Sequence, residues 1–369
     1  MQQHRNPENT NHPDRAGTGL TREKPVQPFV TILMPIRNEE AYIARALASI
    51  RDQDYPADRF EVLVVDGMSS DRTRELVKSA MAQLPHMRLL DNPAFYVPSA
   101  LNIGIANSRG EVIIRVDGHV MLEKNYISLC IAGLAEHPEA DCVGGVIISK
   151  NDSFMGEAIA LAMSSSFGVG NSYFRTRLHS SRESYVDSVA FGAYRREIFS
   201  RIGLFDEELV RCQDDEFNYR LRKSGGRIFL IPRIRSAYFS RTRLRALWRQ
   251  YFQYGLWKVR VMQKHPTMMK LRQFVPLAFV SSLLGACLLA PFWNPAAILA
   301  AVIAGSYLLA ALAFTISICR RKGLRYGLVL PLLFFILHAS YGLGFLLGLS
   351  RLLRRPSLHK SAGVQVPAA

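Results

Sequence analysis

The chain has 369 residues, 49% of them hydrophobic, which is enough for one large core or two smaller units. Its formal net charge of +16 is unevenly distributed: all 30 acidic residues and 23 of the 46 basic residues lie in the first 216 positions, which leaves −7 there and +23 afterwards. Because long apolar runs interrupt the basic part, we expect membrane lipids as its partner and no nucleic acid.

The cysteines and the first residues indicate the compartment. Five scattered cysteines, an odd number without paired spacing, predict neither a zinc site nor a disulfide framework, so the reducing cytosol fits best. Residues 1–27 are polar and contain no apolar core, which predicts a flexible leader and not a signal peptide. We therefore expect the globular part to stay in the cytosol.

Short apolar runs typical of strands alternate with segments of helical spacing in the first part of the chain. The predicted strands cover residues 29–35, 60–66, 87–91 and 111–116, followed by a further strand at 142–149. The predicted helices between them cover residues 39–53, 71–78 and 98–106. This alternation predicts an α/β fold with a doubly wound sheet, in which ligands bind beyond the carboxyl ends of the strands.

Acidic residues directly follow two of these strands. Asp66 and Asp117 each stand at a predicted carboxyl end before a glycine, and His119 lies two residues beyond Asp117 on the same side. An Asp and a His can hold a divalent cation whose coordination shell is completed by nucleotide phosphates. The alternative is a strand followed by an ordinary Asp-Gly turn. Without a Gly-x-Gly-x-x-Gly sequence or a P-loop lysine, neither a dinucleotide site nor a P-loop is expected.

Two later segments carry carboxylates that allow two interpretations each. Residues 185–194 alternate in polarity, so Asp187 lies either on the wet face of a half-buried strand or on the wall of an acceptor cleft. Asp214, Asp215 and Glu216 open an amphipathic helix within residues 211–221. They either complement the helix dipole or supply a general base whose pKa is raised by like charge.

The basic part of the chain begins with a helix of two faces. The spacing over 241–262 predicts an amphipathic helix, with arginines on one face and leucines and aromatic residues on the other. This helix lies within a predicted interfacial region at 241–272. A core helix is the alternative, because faces of arginine and tryptophan also occur on solvated helices.

Three uncharged apolar runs follow, at about 274–293, 295–319 and 326–350, each long enough to span a bilayer. If the catalytic part is cytosolic, the positive-inside rule accepts the first two spans, but the basic tail at 351–369 would then lie outside. The last run is therefore the candidate for a re-entrant or interfacial segment. It contains Pro331 and glycines at 342, 344 and 348.

Four motifs stand in a fixed order along the chain. They are residues 35–39 (Pro-Ile-Arg-Asn-Glu), 65–73 (Val-Asp-Gly-Met-Ser-Ser-Asp-Arg-Thr), 117–119 (Asp-Gly-His) and 213–214 (Gln-Asp). Together they resemble the inverting glycosyltransferases of family 2, over about residues 28–262. Within that family the chain is most similar to bacterial exopolysaccharide glucosyltransferases of the succinoglycan type. It departs from the family pattern at His119, which replaces the second Asp of Asp-x-Asp, and at Gln213, which replaces a Glu.

The resemblance implies a domain plan and a nucleotide-sugar site. Residues 28–240 would form a doubly wound mixed sheet of the nucleotide-sugar-binding GT-A type, followed by an α-helical membrane region at 273–350. Asp66 would recognise the uracil ring. The full set implied for nucleotide-sugar binding is Pro35, Arg37, Glu39, Asp66, Ser69 and Asp117.

The resemblance also implies the metal ligands and the catalytic base. Asp117 and His119 would hold Mg²⁺ or Mn²⁺, unless the histidine contact is lost. Asp214 would deprotonate the acceptor hydroxyl, and Asp215 or Glu216 would take its place if the helix began one residue differently. Residues 250–255 lack the Gln-x-x-Arg-Trp motif of processive relatives, which argues against a chain-extending synthase.

The function implied by this resemblance is transfer of a hexose, glucose by resemblance, from a UDP-sugar to a lipid-linked saccharide in cell-surface or exopolysaccharide biosynthesis. The enzyme would be a multi-pass protein of the inner membrane with its catalytic domain in the cytosol. One alternative is a polyprenyl-phosphate glycosyltransferase. The other is a non-catalytic membrane scaffold that binds nucleotide sugars, which the altered motifs at 117–119 and 213–214 would allow.

Overall fold

The computed structural model describes residues 27–151, 153–170, 172–178, 181–239 and 243–354. The expected leader, apart from residue 27, and the expected tail beyond 354 lie outside the described residues. Arg241, at which the amphipathic helix was expected to begin, also lies outside them.

A single mixed sheet forms the centre of the first part of the chain. Its strands are β1 (Val30–Ile36), β2 (Phe60–Asp66), β3 (Met87–Asp91), β4 (Val112–Arg115), β5 (Val120–Leu122), β6 (Cys142–Lys150), β7 (Ser184–Tyr185), β8 (Ala190–Arg195) and β9 (Ile228–Phe239). The strands pair in the order β3-β2-β1-β4-β8-β6-β9-β5, and β7 also pairs with β9. The first four strands in this order are parallel, whereas β8 is antiparallel to both of its neighbours.

Helices cover both faces of this sheet. Those of the first part are α1 (Ile43–Arg51), α2 (Thr73–Met81), α3 (Val97–Asn107), α4 (Tyr126–Glu136), α5 (Phe154–Met163), α6 (Ser166–Val169), α7 (Tyr173–Thr176), α8 (Glu197–Ile202) and α9 (Gln213–Lys223). One core packs α1 and α4 against the sheet, and a second packs α3 and α9 against the opposite face. Every residue of β1 and β2 is buried, as expected for parallel strands covered on both sides. The predicted α/β fold with a doubly wound mixed sheet is confirmed.

The alternating stretch at 185–194 does not form one strand. Tyr185 ends the short β7, and β8 begins only at Ala190, so Asp187 lies in the bend between them. The prediction of a strand is therefore wrong for the first half of this stretch.

Four long helices complete the described chain: α10 (Leu244–Lys264), α11 (Leu271–Leu289), α12 (Asn294–Lys322) and α13 (Val329–Arg354). The last three are long and apolar enough to cross a membrane, by length and composition. About half of α13 is buried, whereas α11 and α12 are largely exposed. The helix α13 is therefore the central one, and α10 packs along it.

Glycines explain how closely α10 and α13 approach. A Cβ at Gly255 of α10 would lie 2.0 Å from the carbonyl oxygen of Tyr341, and one at Gly344 of α13 would lie 2.1 Å from that of Phe252. Small residues at such contacts allow backbones to pack tightly. Pro331 stands in the first turn of α13, where a missing N–H costs little. The helix is thus continuous, and the side of the membrane on which it ends stays a prediction.

Candidate active site

One cavity of about 1670 Å³ begins at the carboxyl ends of β1 and β4 and extends to the apolar helices. It lies where an open α/β sheet binds ligands. Six of the eight predicted site residues line it: Pro35, Arg37, Glu39, Asp117, His119 and Asp214. The other two, Asp66 and Ser69, are not among the described residues of its wall.

Two loops form the rim of the cavity and are held together by hydrogen bonds. The Asn38 N–H donates to the Ser69 hydroxyl at 2.9 Å, and the Ser70 N–H donates to the Asn38 side-chain oxygen at 2.9 Å. The Glu39 N–H donates to the Thr73 hydroxyl at 2.8 Å. Asn38 also has a left-handed backbone conformation, with φ of 55°. The rim is therefore fixed before any ligand binds.

Asp66 holds one of these loops in place. Its side chain is fully buried at the end of β2, and it accepts hydrogen bonds from the Ser69 N–H at 3.0 Å and from the Ser69 hydroxyl. The Arg74 guanidinium contacts Asp66 at 2.7 Å and Asp91 of β3 at 2.7 Å. These contacts are structural. The role of Asp66 in recognising a uracil ring stays a prediction.

Asp117, Gly118 and His119 form a tight turn between β4 and β5. The Val120 N–H donates to the Asp117 carbonyl at 3.1 Å, and the ring of His119 lies with Nδ1 2.8 Å from Glu39 Oε1. A Cβ at Gly118 would lie 2.9 Å from Glu39 Cγ, so glycine permits the two loops to approach. The expected Asp-Gly turn is present, and it brings Asp117, His119 and Glu39 to one place.

This turn provides few metal ligands by itself. Among the described residues no group of three or more His, Cys, Asp and Glu side chains is arranged to hold a metal ion. Asp117 and His119 could supply one carboxylate oxygen and one ring nitrogen. Two protein ligands are sufficient where phosphate oxygens and waters complete an octahedral shell. The residues therefore fit a metal ion that arrives with a nucleotide diphosphate.

Arg115 connects the turn to the predicted base. Its Nη2 donates to Asp117 Oδ1 at 3.0 Å, and its Nη1 contacts the Asp214 carboxylate. The side chain of Arg115 is only 15% exposed. Burial raises the pKa of the Asp214 carboxyl above its ordinary value; neighbouring carboxylates add to the effect, and Arg115 opposes it. The two carboxylates therefore lie within the reach of one guanidinium.

The other two acids of the cluster have different partners. Asp215 contacts Lys258 of α10 at 2.5 Å, and Lys258 is only 5% exposed. Glu216 is 1% exposed and contacts Arg220 at 2.6 Å and His265 at 2.9 Å. Both acids thus fasten α9 to the end of α10. Cys212, with φ of 64°, turns the chain so that Asp214 alone of the three approaches Asp117.

Two residues of the site were missed in the sequence. Arg115 interrupts an otherwise apolar strand two residues before Asp117, and this position was the available signal. Phe95 left no such signal: it lies in a loop with φ of 68°, is 46% exposed, and lines the cavity. The guanidinium carbon of Arg37 lies 4.9 Å from the centre of the Phe95 ring. Aromatic side chains exposed in a cavity offer a flat surface to a planar ligand.

Comparisons with known proteins agree with the fold and the motifs. The chain is 26% identical over 328 residues to the dolichyl N-acetyl-alpha-D-glucosaminyl phosphate 3-beta-D-2,3-diacetamido-2,3-dideoxy-beta-D-glucuronosyltransferase of Methanococcus voltae, covering 87% of this chain and 97% of that protein. It is 28% identical over 316 residues to the succinoglycan biosynthesis protein ExoA of Rhizobium meliloti (strain 1021), covering 85% and 93%.

One solved structure and one family model agree with these two relatives. The mannosyltransferase PcManGT from Pyrobaculum calidifontis, solved in complex with GDP-Man and Mn²⁺, matches with a TM-score of 0.55 and 20% identity, covering 86% of this chain and 87% of that one. At this identity the match concerns the fold alone. Residues 31–203 match the family model "Glycosyl transferase family 2". The resemblance seen in the motifs is thereby confirmed, and residues 31–203 match a glycosyltransferase family 2 domain.

Proposed function

We propose that the protein is an inverting, metal-dependent hexosyltransferase that moves a sugar, with glucose as the candidate, from a UDP-sugar to a lipid-linked saccharide. The observation that carries this proposal is the bridge from Asp117 through Arg115 to Asp214 at the wall of the cavity. It puts a carboxylate of raised pKa beside the place where the donor diphosphate would bind.

The donor side of the site is the rim and the turn at 117–119. Arg37, exposed at the rim beside Phe95, offers a cation and an aromatic face to the nucleotide. Asp117 and His119 would hold the divalent ion, and their mixed oxygen and nitrogen ligands suit Mn²⁺ better than Mg²⁺. When bound, the ion would neutralise the charge that develops on the departing diphosphate.

Asp214 is the proposed general base. A carboxylate with a raised pKa accepts a proton more readily than an ordinary aspartate does. Arg115 would hold the carboxylate oriented toward the donor while the acceptor hydroxyl binds against its other side. Displacement of the diphosphate by that hydroxyl from the opposite face of the sugar inverts the anomeric centre.

A lipid-linked acceptor is supported by the extent of the cavity. Its far end is lined by Phe279, Ile303 and Leu337, one from each of the three helices that are long enough to span a membrane. The name of the Methanococcus voltae relative includes a dolichyl-linked sugar phosphate. On this proposal the protein is a multi-pass protein of the inner membrane with its catalytic domain in the cytosol.

Release of UDP from UDP-glucose tests the proposal. Membranes containing the protein would be assayed with a native lipid extract as acceptor, with EDTA, Mg²⁺ or Mn²⁺, and beside Asp214→Asn. We expect a release of UDP that depends on the metal ion and that Asp214→Asn abolishes. A label on the glucose of the donor should appear in the lipid fraction. A scaffold would bind UDP-glucose without releasing UDP. A polyprenyl-phosphate glycosyltransferase would give label in a lipid monophosphate sugar, which mild acid cleaves to the free monosaccharide.

A further inference from the structure

A second group of charged side chains lies in the same cavity, away from Asp214. It consists of Asp187, Arg222, Lys270 and Arg272, here called the Asp187 cluster. We propose that the three cations of the Asp187 cluster bind the phosphate that joins the acceptor saccharide to its lipid. This inference rests on the proposed function, because it names the part of the acceptor that the site recognises.

Charge is the first argument. Arg222 Nη1 lies 3.1 Å from Asp187 Oδ1, the Lys270 ammonium contacts Oδ2, and Arg272 Nη2 lies 3.8 Å from Oδ2. Three cations thus share one carboxylate and leave an excess of two positive charges. The buried Nε of Arg222 has no hydrogen-bond partner among the described residues. Guanidinium and ammonium groups that exceed their carboxylate partners favour a phosphate ligand.

The carboxylate of Asp187 stays charged, so the excess of the cluster is two positive charges and not three. Burial acts to raise the pKa of Asp187, but the hydrogen bond from Lys270 and the nearby arginines hold the pKa below its ordinary value. Lys270 and Arg272 remain 44% and 41% exposed toward the cavity region. They can therefore turn to a ligand without leaving a buried charge behind.

Position along α9 is the second argument. Asp214 and Arg222 stand eight residues apart on the same face of this helix, a separation of roughly 12 Å at 1.5 Å per residue. A lipid phosphate held by the cluster would therefore lie away from Asp214, since no ion pair joins the cluster's cations to Asp214 among the described residues. The distance leaves room for a saccharide whose hydroxyl reaches Asp214. This geometry favours a lipid-linked saccharide over a bare polyprenyl phosphate as acceptor.

Position relative to the apolar helices is the third argument. Lys270 and Arg272 flank Leu271, the first residue of α11, so the cluster lies where the first potential membrane span begins. Basic side chains at this level meet phosphate head groups. Beyond the cluster α11 lines the cavity with apolar side chains, Val275 and Phe279, one and two turns further along the helix. A lipid chain could therefore follow α11 while its phosphate remains at the cluster.

Binding of farnesyl diphosphate to the full-length protein in neutral detergent micelles tests the site without any sugar transfer. EDTA would be present so that no metal ion at Asp117 and His119 holds the probe. We expect saturable binding by the wild type, weakened about tenfold or more by Lys270→Met or Arg272→Met, because each removes a charged hydrogen-bond donor. Farnesol, which lacks the diphosphate, should bind weakly to every variant.

Arg249→Met is the matched control, since Arg249 is exposed on α10 and does not line the cavity. It should bind farnesyl diphosphate as the wild type does. The proposal is overturned if the wild type does not bind the probe, or if Lys270→Met and Arg272→Met bind it as tightly as Arg249→Met. It is equally overturned if phosphatidylglycerol competes as well as farnesyl diphosphate, because the cluster would then be a membrane-surface contact.

The binding assay and the UDP-release assay fail independently. If the cluster variants lose the probe while the wild type releases no UDP with any donor, the phosphate site stands and the transferase proposal falls. If UDP release depends on Asp214 while the cluster variants bind the probe normally, the transferase stands and the phosphate site falls.

Discussion

The two ends of the cavity balance their charges in opposite ways. At the strand ends one cation, Arg115, is shared by the two carboxylates of Asp117 and Asp214. In the Asp187 cluster one carboxylate is shared by three cations. The first end has an excess of negative charge and suits a metal ion and a proton. The second has an excess of positive charge and suits a phosphate.

On the proposed function, the two ends of the cavity differ in the residual charge of their ion-pair networks and not in the presence of ion pairs. Buried charges need partners in either case, so paired residues occur at both ends. Elsewhere in the same region the pairing is balanced. Asp215 with Lys258 is one to one. This pair fastens α9 to α10.

The largest effect is expected from Asp214→Asn. Removing the base while keeping its shape should lower kcat by about 10² to 10⁴, the usual contribution of general base catalysis. The KM for the donor should change little, because the donor contacts lie at the rim and the turn. Steady-state UDP release with saturating Mn²⁺ measures both constants. An Asp214→Asn enzyme with wild-type kcat would place the base at Asp215 instead.

Arg115→Met should shift the pH dependence of the reaction. Arg115 opposes the rise in the pKa of Asp214, so its removal raises that pKa further. The proposed base is then protonated over a wider acidic range, so the acidic limb of the kcat/KM profile should move to higher pH. Arg115→Lys, which keeps the charge, should leave the limb near its wild-type position. An unshifted limb in Arg115→Met would mean that Asp214 does not control it.

Asp215→Ala should affect stability instead of chemistry. Lys258 is almost fully buried, and the substitution would leave its ammonium without its carboxylate partner. Because Asp215 is half exposed, we expect a loss of about 2 kcal/mol in the free energy of unfolding, less than for a fully buried pair. Thermal unfolding in detergent micelles measures this. Asp58→Ala, at an exposed position, is the control and should unfold as the wild type does.

A second effect on stability is expected at the contact between α10 and α13. In Gly255→Ala the new methyl group would overlap the Tyr341 carbonyl and should destabilise the protein by about 1 to 3 kcal/mol. Gly305→Ala of α12 is the matched control, since nothing lies within 4 Å of the added Cβ. It should be at least as stable as the wild type, because alanine favours the helix. Equal stability of the two variants would contradict the packing described here.

Much of the first part of the molecule could be predicted from local patterns. The apolar runs ending at Asp66 and Asp117 are strands, and the acidic stretch at 213–216 opens α9. These features depend on residues close together in the chain, where periodicity and turn chemistry act. The stretch around Asp187 was predicted wrongly as a strand, because alternation of polarity does not reveal whether a backbone has a pairing partner.

The sequence by itself determined which residue types stand at the strand ends and at the start of α9, and the tertiary structure decided what each of them does. Asp214, Asp215 and Glu216 are adjacent and chemically alike, and distant segments bring a different partner to each of them: Arg115, Lys258 and His265. The Asp187 cluster likewise joins residues from 187 to 272. Charged and polar side chains interact over a few ångströms in space. Partners that lie far apart along the chain therefore cannot be identified from local sequence patterns.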